Sequence, residues 1–232
     1  MRITLDDLHL RRGDFSLRAS LVIESGGAVA VIGPSGAGKS TLLNTISGFE
    51  TPSAGRVLLG GEEMTRAAPA ARPVTMLFQD NNLFPHLTVF QNTALGRSPT
   101  LRLEPDGRVA VEAVLARVGL EGSGAKRAAE LSGGQQSRVA LARALLRDRP
   151  ILLLDEPFAA LGPALRQDML GLVAEIRAER GMTLLMITHD PGDAAAITEQ
   201  TVFVDGGTVS PPQETAQMLA SPTPALAAYL GL

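Results

Sequence analysis

The stretch Gly33-Pro34-Ser35-Gly36-Ala37-Gly38-Lys39-Ser40-Thr41 constrains this chain more than any other. It fits the pattern G-x-x-x-x-G-K-[ST], a loop whose backbone amides wrap phosphate oxygens. Glycines at 33, 36 and 38 let the chain turn tightly and bring N–H groups against an anion. Lys39 supplies a flexible cation for the outer phosphates, and Ser40 a hydroxyl suited to Mg²⁺. The flanks agree with this reading. Ala28-Val29-Ala30-Val31-Ile32 is an unbroken apolar run that predicts a strand buried on both faces. Leu42, Leu43 and Ile46 mark one face of a short helix that stops at Gly48. Such a helix aims its partly positive N-terminus at the phosphates. A Gly-rich turn before an ordinary helix is the bland alternative, and it does not account for strand, loop, Lys-Ser and helix all in register.

Composition narrows the rest. The 232 residues suffice for one large domain, and a 45% hydrophobic content allows a sizeable core. A formal charge of −3 argues against a nucleic-acid partner, which requires a basic face. With no Trp and a single Tyr, base-stacking platforms are not expected. The absence of Cys excludes disulfides and thiolate metal sites. Met1–Asp7 carries acidic residues where a signal peptide needs an apolar core. No stretch approaches the ~18 apolar residues of a transmembrane helix. The expectation is a soluble chain that works at a membrane only by docking to another protein.

The first thirty residues predict short antiparallel strands leading into the loop. Ile3, Leu5, Leu8 and Leu10 precede a turn at Arg12-Gly13-Asp14; Leu17 and Leu21-Val22-Ile23 precede another at Gly26-Gly27. Arg56–Leu59 and Pro73–Phe78 are further strands. In Asn81–Val89, apolar Leu83, Phe84, Leu87 and Val89 interrupt Pro and Asn turn signals. They read equally well as packed beneath the loop or as an exposed patch for a partner. Between 99 and 131 strand character is missing, and Val109, Val111, Val114, Leu115 and Val118 give a helical face. The whole, 1–232, reads as a single α/β domain with a helical insertion over roughly 82–147.

Three more stretches carry chemistry. Leu131-Ser132-Gly133-Gly134-Gln135 opens a helix with a capping box, Ser132 at the N-cap and Gln135 three residues on. Two glycines in that first turn disfavour helix, and they make sense where amides must lie against a second anion. Ile151-Leu152-Leu153-Leu154 is a buried strand followed by Asp155 and Glu156 at its C-terminal end, the ligand edge of a parallel sheet. Asp155 is suited to Mg²⁺, and Glu156, on the opposite side of the pleat, to polarising a water for attack on a γ-phosphate. Thr183–Thr188 is another buried strand, with His189 at its tip as a candidate γ-phosphate contact. Gln79, at the end of the Pro73–Phe78 strand, is placed to reach the metal or the attacking water.

In order and spacing, Gly33–Thr41, Gln79, Leu131–Gln135, Ile151–Glu156 and His189 resemble the nucleotide-binding subunits of ATP-binding-cassette (ABC) transporters. The likeness spans essentially the whole chain. It implies a P-loop NTPase core with a mostly parallel sheet, an N-terminal antiparallel β subdomain and a helical signature subdomain. It also implies that Gly33, Pro34, Ser35, Gly36, Ala37, Gly38, Lys39, Ser40 and Thr41 cradle ATP. Ser40, Gln79 and Asp155 would hold Mg²⁺; Glu156 would be the general base, His189 the switch residue, and Gln79 a link to the membrane partner. Ser132, Gly133, Gly134 and Gln135 would bind the γ-phosphate held by a second subunit. Complete sites would then form only in a head-to-tail homodimer that drives transmembrane permease subunits, with a solute-binding protein acting indirectly. The location implied is peripheral, on the cytoplasmic face of the inner membrane.

A narrower likeness lies in Arg72–Phe84, in Asp155-Glu156-Pro157-Phe158 and in Pro163-Ala164-Leu165-Arg166. These resemble the ATPases of thiamine importers; ATPases of iron, molybdate, sulfate and polyamine importers are similar. The chain departs from the family pattern at three places. Gly162 stands where the family has Asp, which bears on coupling between the two sites. Arg12, with Phe15 nearby, occupies the place of the aromatic residue that stacks on adenine, a task a guanidinium can perform. Gln136 follows Gln135 where a basic residue is usual.

Overall fold

The computed structural model describes all of residues 1–232. The chain opens with β1 (Ile3–Arg12) and β2 (Phe15–Ile23), an antiparallel hairpin turned at Gly13-Asp14. β3 (Ala28–Ile32) leads into the phosphate-loop motif and α1 (Lys39–Ser47). β4 (Ala54–Leu59) pairs antiparallel with β1, and β5 (Glu62–Glu63) with β4. β6 (Val74–Leu77) follows, and then three helices: α2 (Val89–Ala94), α3 (Pro105–Arg117) and α4 (Gly133–Leu146). β7 (Ile151–Asp155), α5 (Pro163–Arg180), β8 (Thr183–Ile187), α6 (Pro191–Ile197) and β9 (Gln200–Asp205) complete the centre. β10 (Thr208–Val209), β11 (Gln213–Glu214), α7 (Thr215–Ala220) and α8 (Pro224–Leu230) end the chain.

All strands join one sheet in the order β5-β4-β1-β2-β10-β9-β3-β8-β7-β6, with β11 on β9. From β9 to β6 every neighbour is parallel. β10 makes the join, antiparallel to β9 and parallel to β2. Burial follows the two patterns of pairing. β3 and β8 are buried at every position, as strands covered on both faces must be, whereas β2 alternates.

Alternation along the central strands splits the core. Val29, Val31, Ile151, Leu153, Leu185 and Ile187 pack with Leu42, Leu43 and Ile46 of α1 and with the antiparallel strands. Their neighbours Leu152, Leu154, Leu184 and Met186 point the other way, onto α3, α4 and α5. Pairing also aligns the strand ends: Ile32 lies opposite Phe203, Val31 and Asp155 each opposite Ile187, and Leu77 opposite Leu154. The residues that follow, Gly33, Gln79, Glu156 and His189, therefore emerge along one edge.

Several expectations need correction. Val109 is 69% exposed, and the buried face of α3 is Val111, Val114, Leu115 and the following Val118. Two residues apart on a helix is about 200° of rotation, so Val109 and Val111 cannot share a face. The apolar run 83–89 divides rather than choosing one role. Val89 is buried in the core, Leu83 packs partly against it, and Phe84 is 47% exposed. The run also contains the start of α2, where Gln91 N donates to Thr88 Oγ1 and Thr88 N to Gln91 Oε1, a second capping box. Buried Asn92 holds the preceding turn through bonds to Phe84, Leu87 and Thr88.

Candidate functional site

Gly33 turns the chain away from β3 at φ 147°, and Gly36 and Gly38 also have positive φ. A Cβ at Gly33 would stand 2.1 Å from the Val204 carbonyl oxygen, so no other residue fits. Gly38 caps α1 with no side-chain acceptor, which leaves the first helical amides available to an anion. Lys39 Nζ donates to the Gly33 and Pro34 carbonyls at 2.7 and 2.8 Å. Burial lowers the Lys39 pKa, against the opposing pull of Glu156 and Asp155. Ser40 Oγ donates to Asp155 Oδ1 at 3.2 Å, joining α1 to β7. Burial raises the Asp155 pKa; the Ser40 bond and Lys39 act the other way, and the Glu156 charge adds to the rise.

The loop borders an open cleft of about 540 Å³. Its lining is Ser35, Gly36, Gly38, Lys39, Ser40 and Thr41 of the loop, together with Arg12, Phe15, Gln79 and Glu156. Ala37 is 8% exposed and belongs to the core, so within the motif it serves packing. Arg12 is largely exposed and pairs with Glu50 at 3.4 Å. Phe15 presents an aromatic ring beside it, against Gly38.

Glu156 does not sit across a pleat from Asp155, as alternation would have it. β7 ends at Asp155, and Glu156 adopts a left-handed conformation with φ 44°, its amide bonded to Ile187 O at 3.2 Å. That turn, rather than strand geometry, aims its carboxylate at the cleft. His189 Nδ1 lies 3.5 Å from Glu156 Oε2, so these two candidates are brought together at the edge that also carries Asp155 and Ser40.

Ser132, Gly133, Gly134 and Gln135 begin α4, and none of them lines this cleft. The capping box is formed in both directions, Gln135 N to Ser132 Oγ and Ser132 N to Gln135 Oε1. Gly133 faces open space, but a Cβ on Gly134 would meet Leu165 Cδ2 at 2.3 Å, so close packing on α5 is a further reason for that glycine.

Two arginines with no catalytic role tie these parts together. Arg143 on α4 donates to the Asn81 and Asn82 carbonyls at 2.6 and 2.8 Å, just beyond Gln79. Both asparagines have positive φ, and Asn81 Nδ2 also reaches Ser137 Oγ. Arg72, 1% exposed, donates to the Thr45 and Ile46 carbonyls at the end of α1 and to those of Thr65 and Ala67. Burial lowers the pKa of both guanidiniums. Arg72 had only the signal of a charge just before an apolar strand; Arg143 had that of a charge among the apolar residues of α4.

The ABC transporter family profile matches residues 17–159. The thiamine import ATP-binding protein of Ruegeria sp. (strain TM1040) is 56% identical over 229 residues, covering 99% of each chain. The protein of the same name from Cereibacter sphaeroides is 56% identical over 227 residues, 98% of each chain, and that of Brucella suis biovar 1 is 50% identical over 230 residues. Among solved structures, the ADP conformation of an ATP-binding cassette of an ABC transporter superposes with a TM-score of 0.89 at 26% identity, over 99% of this chain and 98% of the other. By sequence, by fold and by the phosphate loop at its centre, the chain belongs to the ABC transporter family, as an ATP-binding, ATP-hydrolysing cassette.

Proposed function

We propose that this chain is the ATPase subunit of a thiamine importer, working as a head-to-tail homodimer beneath two permease subunits. The observation that carries the catalytic reading is the convergence of four groups on one sheet edge. Ser40 and Asp155 are bonded at 3.2 Å, and Glu156 and His189 stand 3.5 Å apart. The solute rests on relatives that are 50–56% identical over nearly their full length and are named for thiamine import.

In this reading the amides of Gly33–Thr41 and the Lys39 ammonium hold the phosphates of ATP. Arg12 or Phe15 faces the base. The Glu156 carboxylate accepts a proton from the attacking water as its oxygen approaches the γ-phosphorus in line with the departing β-phosphate oxygen. His189 orients Glu156 and contacts the γ-phosphate. Ser132, Gly133, Gly134 and Gln135 meet the γ-phosphate of ATP on the other subunit, which is consistent with their absence from this chain's own cleft. The residues present fit Mg²⁺. Ser40, Asp155 and Gln79 offer hard oxygen donors, and Asp155 is a half-buried carboxylate whose pKa is raised by burial and by the neighbouring Glu156 charge, against the Ser40 bond and Lys39. When bound, Mg²⁺ neutralises phosphate charge.

Helices α2, α3 and α4 pack on one another and form the helical subdomain of roughly 82–147. No helix is long and apolar enough to cross a membrane. Membrane attachment is therefore assigned to docking on permease subunits at the cytoplasmic face. The solute-binding protein acts indirectly, and no nucleic acid takes part.

The test is ATP hydrolysis by the transporter assembled with its permease and a thiamine-loaded binding protein. Thiamine should stimulate turnover, and Glu156→Gln should lower it by at least about a hundredfold. Turnover that ignores thiamine but follows another loaded binding protein would replace the solute. A Glu156→Gln variant of wild-type activity would overturn the mechanism.

A further inference from the structure

The chain contains one tyrosine, and its hydroxyl lies at the catalytic edge. α8 begins at Pro224 behind Thr223, whose Oγ1 caps the helix through Leu226 N. Leu226 is buried and, with Met218 of α7, packs over Ile32 and Phe203. Ile32 is the residue before Gly33, and Phe203 is its partner in β9. Tyr229 falls on the same face of α8, three residues after Leu226, with its ring 5.9 Å from that of Phe203. Packing alone would be met by Phe. The hydroxyl, however, reaches beyond the apolar cluster and donates to the backbone carbonyl of His189 at 3.4 Å.

No backbone amide reaches that carbonyl, so Tyr229 is its one hydrogen-bond partner. The N–H of that same peptide, on Asp190, donates to Thr188 Oγ1 at 3.1 Å, so Tyr229 and Thr188 hold its two ends. The His189 ring is half exposed, and its Nδ1 faces Glu156. Its aim therefore depends on how firmly its own backbone is held. The Tyr229 hydroxyl also faces the Gly33 amide; burial and the Glu156 and Asp190 charges raise the phenol's pKa, which keeps it a donor.

We propose that Tyr229 is a positioning residue for ATP hydrolysis. Its hydroxyl fixes the His189 peptide between the phosphate loop and Glu156, and so makes α8 part of the catalytic edge. This rests on the reading of Glu156 and His189 as the hydrolytic pair. A hydroxyl that only packed would be fully replaced by Phe; one that aims His189 would not.

The experiment compares wild type with Tyr229→Phe in the assembled transporter and, for the isolated full chain, in ring-proton NMR spectra of its three histidines, His189 being assigned with His189→Gln. Tyr229→Phe should lower kcat about three- to tenfold, the range of one lost hydrogen bond, with KM for ATP and Tm little changed. The His189 resonance should move while those of His9 and His86 stay. Wild-type kcat in Tyr229→Phe, or an unmoved His189 resonance, overturns the proposal. If wild type does not hydrolyse ATP, or Glu156→Gln remains fully active, the hydrolytic reading itself fails, which is a separate result.

Discussion

Gly162 shows how much a single position decides. It stands at the N-cap of α5 with φ −64° and ψ 157°, a conformation open to any residue, and its helix has no side-chain cap. A Cβ there would meet nothing within 4 Å. An aspartate fits this place without strain, caps the helix and complements its dipole, worth about 0.5 kcal/mol. Gly162→Asp should therefore raise Tm slightly. It should also raise transport-coupled ATPase at least about twofold, equivalent to roughly 0.4 kcal/mol in the barrier. An unchanged rate in the assembled transporter would remove Gly162 from the coupling argument and leave it a neutral loop residue. Gly134 is the opposite case. Its place in the first turn of α4 reads as a way to expose amides, yet a Cβ there would also press on Leu165 Cδ2 at 2.3 Å, so the leucine would have to shift.

At the scale of elements, α1 depends on a residue well outside it. Its last turn contains no basic side chain, and its final carbonyls need donors. Gly48, Phe49 and Glu50 amides serve Asn44, and Arg72 serves Thr45 and Ile46. Arg72 thus acts as a cation at the C-terminal end of the helix whose N-terminal end faces the cleft, the favourable end of the dipole for positive charge. Gly48 leaves it room, since a Cβ there would stand 2.6 Å from Arg72 Nε. Arg72→Met would leave four carbonyls without this donor, three of them in bonds that are fully buried. We expect a loss of about 3 kcal/mol or more and a Tm lower by about 6–12 °C. Arg72→Lys should recover only part, because an ammonium cannot span the carbonyls that a planar guanidinium forks between. Differential scanning calorimetry of the two variants would decide it; equal Tm values for both and for wild type would refute the role. Arg143 ties α4 to the segment after Gln79 by the same chemistry, a guanidinium on backbone carbonyls.

For the molecule as a whole, one cleft is bordered by the phosphate loop, Gln79 and Glu156, while Ser132–Gln135 at the start of α4 line no part of it. On the proposed reading, a second copy completes the site. Glu156→Gln with ATP and Mg²⁺ should sediment as a dimer, and as a monomer without nucleotide. Adding Ser132→Glu should weaken that dimer at least about tenfold, because a carboxylate would face the γ-phosphate, while ATP binding by each chain persists. Sedimentation velocity checks both; a dimer indifferent to Ser132→Glu would place the interface elsewhere.

Much of this was legible from local pattern. Gly33–Thr41 with its strand and helix, the apolar strands ending at Asp155 and before His189, and the capping box at Ser132 each depend on residues close in sequence, and each stands where expected. So does the antiparallel start, because tight turns join neighbouring strands. What only the tertiary structure decided involves residues distant in sequence. Glu156 leaves the pleat in a left-handed turn held by Ile187, a contact strand periodicity cannot express. Val109 faces solvent because the apolar stripe of α3 is narrower than its valines. Arg72, Arg143 and Tyr229 matter through backbone carbonyls 26, 61 and 40 residues away. A carbonyl is the same in every residue, so no side-chain pattern marks which ones a distant guanidinium or hydroxyl will find.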